Sequence, residues 1–447
     1  MIMNDSGINV VRRKVGSEVC RLEWEGNLDQ EHVEKLIHEI SPGPKPLYRC
    51  CVYKEREIVR GRVRLASGMN AVPGSETKNV VQVVEAACDD CPISSYTVTD
   101  NCRFCLGKAC LSSCKFGAIS LGPTRMHIDP AKCKECGMCA KSCPFGAIVH
   151  LERPCKKACP VDAISYDEYG FCRIDEEKCI HCGHCIHNCP FGAIGAKSFL
   201  TNIIRDIKAG KEVYAMCAPA SEGQFGKDIG MASIKNALKK IGFVDMVEVG
   251  LGGDMTAAYE AKEWIEARAE GRKMTTSCCP AWVNLVWKHL PELVDHVSLT
   301  PSPMVYAREI AKAKDPNAKT VFIGPCVAKR SEARRKDVDY VLSFEELGAI
   351  LAGRKIDVIA CEPWPVERPA NPTARNYAKS CGVTDAVLAE ATAKIPGFKL
   401  DSRQINGIDR KTCTMVKLHA SGKIPVNFLE VMACPGGCQN GPCSLVK

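Results

Sequence analysis

Thr276-Ser277-Cys278-Cys279-Pro280-Ala281-Trp282 sets two adjacent cysteines before a proline that closes one element, and Trp282-Val283-Asn284-Leu285-Val286-Trp287 then opens a helix. Alone, a Cys-Cys-Pro is as readily a pair of buried thiols as a pair of ligands. Two later stretches change the balance: Gly324-Pro325-Cys326-Val327-Ala328-Lys329 and Glu430-Val431-Met432-Ala433-Cys434-Pro435-Gly436-Gly437-Cys438. Cys279, Cys326, Cys434 and Cys438 come from three distant segments and can supply the four thiolates of one cubane iron–sulfur cluster. Gly436 and Gly437 let the backbone turn tightly between the last two.

Thirty cysteines in 447 residues is far above ordinary usage. They fall in short-spaced runs, which reads as metal ligation in a reducing compartment and excludes a secreted disulfide scaffold. Met1 to Lys14 has no apolar stretch of signal-peptide type, and no run reaches the roughly 18 apolar residues of a spanning helix. A soluble, cytoplasmic protein is expected. The formal charge of +8 counts cysteines as neutral, so bound all-thiolate cubanes would bring it towards neutrality. No basic run marks a nucleic-acid surface.

From Cys88 to Cys189 the chain changes character. Cys133-x2-Cys136-x2-Cys139-x3-Cys143-Pro144 and Cys179-x2-Cys182-x2-Cys185-x3-Cys189-Pro190 are two copies of the bacterial ferredoxin run, each followed by Phe-Gly-Ala-Ile. Three cysteines of one run and the fourth of the other hold each cubane in that arrangement. This predicts Cys133, Cys136, Cys139 and Cys189 on one, and Cys179, Cys182, Cys185 and Cys143 on another. A looser copy runs through Cys102, Cys105, Cys110 and Cys114, and its partner is split between Cys88, Cys91 and Cys155, Cys159. The same logic groups Cys102, Cys105, Cys110 with Cys159, and Cys88, Cys91, Cys155 with Cys114. Two accessory 4Fe-4S clusters are thus well specified, and up to four are expected. Cys172 is left over as a packed thiol, and Cys20, Cys50 and Cys51 lack ligand spacing.

Three regions follow: residues 1–80, without an assigned role; residues 81–200, an α+β ferredoxin-like unit with several clusters; and residues 201–447, an α/β domain. In the first, a helix capped by Asp29 covers Asp29 to Ile37, Ser41-Pro42-Gly43-Pro44 breaks the chain, and Glu57 to Leu65 alternates like a strand. In the last, strands are expected at Val213–Met216, Val244–Val249, Thr320–Ile323 and Val338–Leu342. Helices are expected at Met231–Ile241, Thr256–Ala269, Phe344–Leu351 and Ala374–Ala393. The alternation argues mainly parallel sheets with flanking helices, in two lobes around the cluster, each cysteine signature lying in a loop beside a rigid element.

The stretches TSCCP, PCxxK and MACxGGC, in that order, resemble the three signatures of the catalytic domain of iron-only (FeFe) hydrogenases, across roughly residues 213–447. The resemblance implies a divergent, monomer-type member in which Cys279, Cys326 and Cys434 hold a cubane and Cys438 bridges it to a two-iron unit with carbon monoxide, cyanide and a bridging dithiolate amine, the H-cluster. It implies the reaction 2H⁺ + 2e⁻ ⇌ H₂. Cys278 would be the last proton carrier, fed through Glu260, Glu263 and Ser298, and Lys329 would donate hydrogen bonds to a cyanide. Ala218, Pro219 and Met432 would line the pocket. Partners implied are ferredoxin or flavodoxin, and the maturation proteins that install the two-iron unit. Gly324 stands where the best-known members carry methionine, Met304 replaces a glutamine, and Cys438-Gln439-Asn440-Gly441-Pro442-Cys443 departs from the usual glycine run. The pocket wall is therefore expected to differ, with Cys217 and Cys443 either extra site thiols or inert. A hydrogen sensor and a non-catalytic iron–sulfur assembly scaffold are the competing readings. A sensor lacks any visible output module, and a scaffold has no use for Cys278 or Lys329.

Overall fold

A computed structural model describes residues 7–88, 91, 95–398 and 401–446. Its centre is a four-stranded parallel sheet in spatial order Asp245–Glu248, Val213–Cys217, Lys319–Ile323, Tyr340–Leu342. Val213–Cys217 is buried along its whole length, the continuous apolar run expected of a parallel strand covered on both faces. A second parallel sheet, of three strands, orders Met274–Thr275, Phe428–Met432 and Ser402–Asn406. Trp264, on the helix Val249–Ala269, closes the second sheet against Phe428 (5.1 Å between ring centroids) and Phe398 (4.8 Å). The chain is thus α/β with parallel pairing over this part, as expected.

The helix Met231–Ile241 runs between Gly230 and a left-handed Gly242 cap. The helix expected from Thr256 begins a full two turns earlier, at Val249. The single helix expected over 374–393 is broken into Pro372–Arg375, a 3-10 turn at Asn376–Ala378, and Gly382–Lys394. The interruption falls at Cys381, whose φ of 75° lies in the left-handed region that does not continue a helix.

Residues 7–80 are not a separate appendage. Helices Gly7–Glu25, Gln30–Ile40 and Val52–Ala66 share one apolar core with the central sheet, joining Val15, Val19, Ile37, Val59 and Val63 to Val213 and Ala215. Asp29 caps the second helix by accepting from His32 N–H. The stretch expected as a strand, Glu57 to Leu65, lies inside the third helix. The two-residue alternation misleads there: Val52, Glu55, Ile58, Val59, Arg62 and Val63 are buried, which is helical spacing. The Glu55 carboxylate accepts from Ser41 Oγ and from the backbone N–H of Leu47, Tyr48 and Arg49, so it fixes the Pro-rich turn from inside.

Between these parts lie two small units built alike. In one, Ser95–Val98 pairs antiparallel with Ile148–Leu151, beside the hairpin Ile119–Leu121/Met126–Ile128. In the other, Val81–Val83 pairs antiparallel with Ile194–Ala196, beside the hairpin Ile164–Tyr166/Cys172–Ile174. Among the described residues no helix is long and apolar enough to cross a membrane.

The helix Val249–Ala269 must press against Pro303, because a Cβ on Gly252 would overlap the Pro303 carbonyl. Gly252→Ala should therefore cost about 1–3 kcal/mol by overpacking, seen as a lower denaturant midpoint. An unchanged midpoint would mean that the two helices are free to separate.

Candidate functional site

Each cysteine signature occupies a loop at the end of a parallel strand. Cys278 and Cys279 lie between Met274–Thr275 and the helix Pro280–His289. Cys326 lies between Lys319–Ile323 and Lys329–Arg335, and Cys434 and Cys438 follow Phe428–Met432. Pro280 occupies the first turn of its helix, where the missing N–H costs nothing. Gly437, at φ 94°, makes the turn between the last two thiols where a side chain would run into the backbone of 378–380. The three loops close on one cavity of about 80 Å³, lined by Cys278, Cys279, Cys326, Cys434 and Cys438. Ala218, Pro219, Met304, Lys329, Tyr377 and Met432 complete its wall. Gly324 leaves the space that the Phe322 ring fills, and that ring joins the same wall.

The cavity is apolar, and burial raises every thiol in it. Cys326 and Cys438 are each pushed up to about 12 by burial and then by neighbouring thiols. Cys434 is raised by burial and by Cys326, Cys438 and Cys279. Four thiols gathered where thiolates repel one another and are cut off from solvent suit a cationic iron–sulfur core that offsets part of their charge, so the donor set fits a cubane. Lys329 Nζ sits at the wall, donating to Glu332 Oε2 at 2.6 Å, Ser302 Oγ at 3.0 Å and the Cys278 carbonyl at 3.4 Å. Burial pulls its pKa down, and the Glu332 carboxylate beside it outweighs that and keeps the ammonium charged.

On the other side of Cys278 runs a file of acids and hydroxyls. Glu260 is fully buried and accepts from Ser277 N–H at 3.2 Å through Oε1, while its Oε2 has no partner among the described residues. Ser298 Oγ donates to Glu263 Oε2 at 2.7 Å, and Thr300 Oγ1 donates to the same oxygen at 3.0 Å. Ser298 also faces the Glu260 carboxyl, and Glu260 faces Cys278. Glu263 is half-buried, so the file runs from cavity to surface. Burial, against the Ser277 N–H and with the Glu263 charge, lifts the Glu260 carboxyl to about 8.

The accessory thiols gather in four sets, and in each the thiol that joins from another run differs from the expected one. Cys102, Cys105 and Cys110 share a pocket with Cys143. Cys139 lies beside Cys133 and Cys114. Cys179, Cys182 and Cys185 adjoin Cys159. Cys91 lies beside Cys88, Cys155 and Cys189. The crossover logic holds, but the partners exchange, because Ser95–Val98 pairs with Ile148–Leu151. That pairing folds the 102–114 run onto the 133–143 run and leaves the 88/155 set to the 179–189 run. Cys182 lines the central cavity, and His184 Nε2 meets the Ala433 carbonyl at 3.1 Å, so the last run abuts the signature loops.

Spacing alone missed several residues of the site. Glu332 was legible as the helical i+3 partner of Lys329. Ser302, Tyr377 and Glu430 were not, since they reach the site from a helix cap, a 3-10 turn and a buried strand far apart in the chain. Glu430 is fully buried and accepts from Thr384 Oγ1 at 2.6 Å and Cys381 N–H at 2.8 Å. Tyr377 lines the cavity, its hydroxyl without a partner among the described residues.

Parallel sheets ending in cysteine loops around an apolar cavity, beside paired cysteine-rich units, define an iron–sulfur protein. Residues 211–442 match the family described as iron only hydrogenase large subunit, C-terminal domain; residues 126–149 match a 4Fe-4S binding domain and 149–200 the LdpA Fe-S cluster-binding domain. The chain is 30% identical to the periplasmic Fe hydrogenase large subunit of Nitratidesulfovibrio vulgaris over 382 residues, 71% of this chain and 86% of that one. It is likewise 30% identical to iron hydrogenase 1 of Clostridium pasteurianum, covering 71% of this chain and 64% of that one. A probable cytosolic Fe-S cluster assembly factor of Aedes aegypti is 25% identical over 45% of this chain and 54% of its own. A single-residue variant of the FeFe hydrogenase HydA1 of Chlamydomonas reinhardtii superposes with a TM-score of 0.48 at 20% identity, over 55% of this chain and 84% of that one. The chain belongs to the iron-only (FeFe) hydrogenase family.

Glu260 should hold its proton below about pH 8 and release it above. Infrared difference spectra of wild type minus Glu260→Gln should contain a carboxylic acid band that fades through that pH. A band lost at ordinary carboxylate pH would mean that water reaches Glu260.

Proposed function

We propose that this chain is an iron-only hydrogenase that interconverts two protons and two electrons with H₂. The observation that carries the reading is the file Cys278, Glu260, Ser298, Glu263, which joins the thiol-lined cavity to the half-buried edge of the molecule. A cubane on Cys279, Cys326, Cys434 and Cys438, joined through Cys438 to a two-iron unit, would supply the redox chemistry of hydrogen when bound.

The protein's part is proton and electron delivery. Cys278 holds a proton at Sγ at the cavity wall, where burial disfavours the thiolate and keeps that proton on the sulfur until a base draws it off. The free Oε2 of Glu260 is the matching acceptor or donor, because its other oxygen is fixed by Ser277 N–H. Ser298 can pass a proton by rotating its hydroxyl between the two glutamates, and Glu263 exchanges it with solvent. Lys329, anchored by Glu332 and Ser302, keeps an ammonium at the wall that suits an anionic ligand such as cyanide. Ala218, Pro219, Met304, Phe322 and Met432 keep water away. Electrons would enter from a ferredoxin or flavodoxin and pass through the accessory sets, the last of which reaches the cavity at Cys182. The two-iron unit would come from maturation proteins.

A scaffold like the assembly-factor relatives needs cysteine ligands but no isolated proton file behind them, and the presence of both favours the enzyme. Cys278→Ser should leave the iron content unchanged and lower hydrogen turnover by about 10²–10⁴-fold, the usual worth of a proton-transfer group. Undiminished turnover in that variant would remove Cys278 from the reaction. Absence of turnover in matured wild type would return the scaffold to first place.

A further inference from the structure

The two small units repeat one another closely enough to be compared position by position. In each, a hairpin follows the fourth cysteine of a run: Leu121 stands opposite Met126 in one, and Tyr166 stands opposite Cys172 in the other. Met126 packs into the pocket of Cys102, Cys105, Cys110 and Cys143. Its counterpart is a thiol. Cys172 is buried, its N–H donates to Cys88 Sγ at 3.3 Å, and its thiol lies beside Cys155 and Cys88, which raise its pKa. Cys91 lies beside Cys88, Cys155 and Cys189 and is only half-buried. Five thiols therefore converge where four suffice.

A second feature marks this place as built for negative charge. Arg153 is 6% exposed and stacks over the Tyr166 ring at 4.0 Å. Its guanidinium faces Cys88 and Cys155, and the Tyr166 hydroxyl reaches Cys155 Sγ at 3.9 Å. A buried cation and a phenol aimed at the same sulfurs stabilise thiolates or a bound anionic cluster, and a packed apolar cysteine would need neither.

We propose that Cys172 is a fifth ligand of the cubane held by Cys88, Cys155 and Cys189, interchangeable with Cys91. The inference rests on the reading of these thiols as a cubane site. In the exchange the Cys172 Sγ–Fe bond forms as the Cys91 Sγ–Fe bond breaks, and the proton lost by the Cys172 thiol is matched by one gained at Cys91. No electron is transferred. The cluster then has two ligand sets, one with the half-buried Cys91 and one wholly buried, and the solvation of a cluster is one of the factors that set its potential. This accessory site is thereby able to hold two potentials, and to keep its iron when the more accessible thiol is oxidised.

The test is iron and acid-labile sulfide per chain, with EPR of the dithionite-reduced protein, on anaerobically prepared full-length Cys91→Ala, Cys172→Ala, the double variant of these two, and Cys88→Ala/Cys172→Ala as a control. Both single variants should keep the wild-type iron content, Cys91→Ala with altered g values but an unchanged spin count. The double variant should lose ~4 irons, one cubane. Loss of those irons in either single variant, or their retention in the double, would overturn the exchange. Cys91→Ala decides the matter alone if the double variant folds poorly. Cys88→Ala/Cys172→Ala tests the underlying reading separately, since no fifth thiol is then left to replace Cys88: it should lose ~4 irons, and full retention would mean that no cubane sits there at all.

Discussion

Buried thiols that face one another are unstable as anions and inert as acids, and the whole arrangement turns on that conflict. Cys279, Cys326, Cys434 and Cys438 are driven into an enclosed cavity with little polar surface, where each raises the others. Without a metal the thiols stay protonated, and a cationic iron–sulfur core would stabilise the four thiolates formed as those protons are released. Holding the thiols there requires the parallel sheets: three loops can meet at one point because the strands before them are registered within two sheets. It also requires close approaches, such as Gly437 against residues 378–380 and Gly252 against Pro303.

The same apolar cavity imposes the second requirement. Protons do not cross a wall of Ala218, Pro219, Phe322 and Met432, so any proton chemistry needs a dedicated line of exchangeable groups. In the proposed line Glu260 would be the pivotal member, because burial keeps its carboxyl protonated near neutral pH while its neighbour Glu263 is half-buried. On the opposite wall Lys329 is kept charged by Glu332, so the cavity has a proton-bearing side and a cationic side. Departures at Gly324 and Met304 alter the wall, through the Phe322 ring and a thioether, without interrupting either side.

Much of this was legible in the chain because the ligands are local. The three signatures, the strand Val213–Cys217 and the helix Met231–Ile241 announce themselves by spacing, burial pattern and flanking glycines. What failed depended on distant pairing. Glu57 to Leu65 alternates within its own window, and only the wider spacing from Val52 reveals a helix. The fourth thiol of each accessory set is fixed by which strands pair, a choice no cysteine spacing encodes. Glu430 and Tyr377 join the site through Thr384 and a left-handed turn at Cys381, neither visible from the MACPGGC stretch. Cys172 has no ligand spacing of its own, and only its place opposite Tyr166 in the hairpin brings it to Cys88.

The central claim is that the cavity receives a diiron unit as well as a cubane. Infrared spectroscopy of anaerobically matured protein, on a sample whose iron has been counted, tests it most directly. The account predicts sharp metal-bound carbonyl and cyanide bands in the region free of protein absorption, and the cyanide bands should shift in Lys329→Met, which lacks the ammonium at the wall. Filled cubanes without any such bands after competent maturation would contradict it.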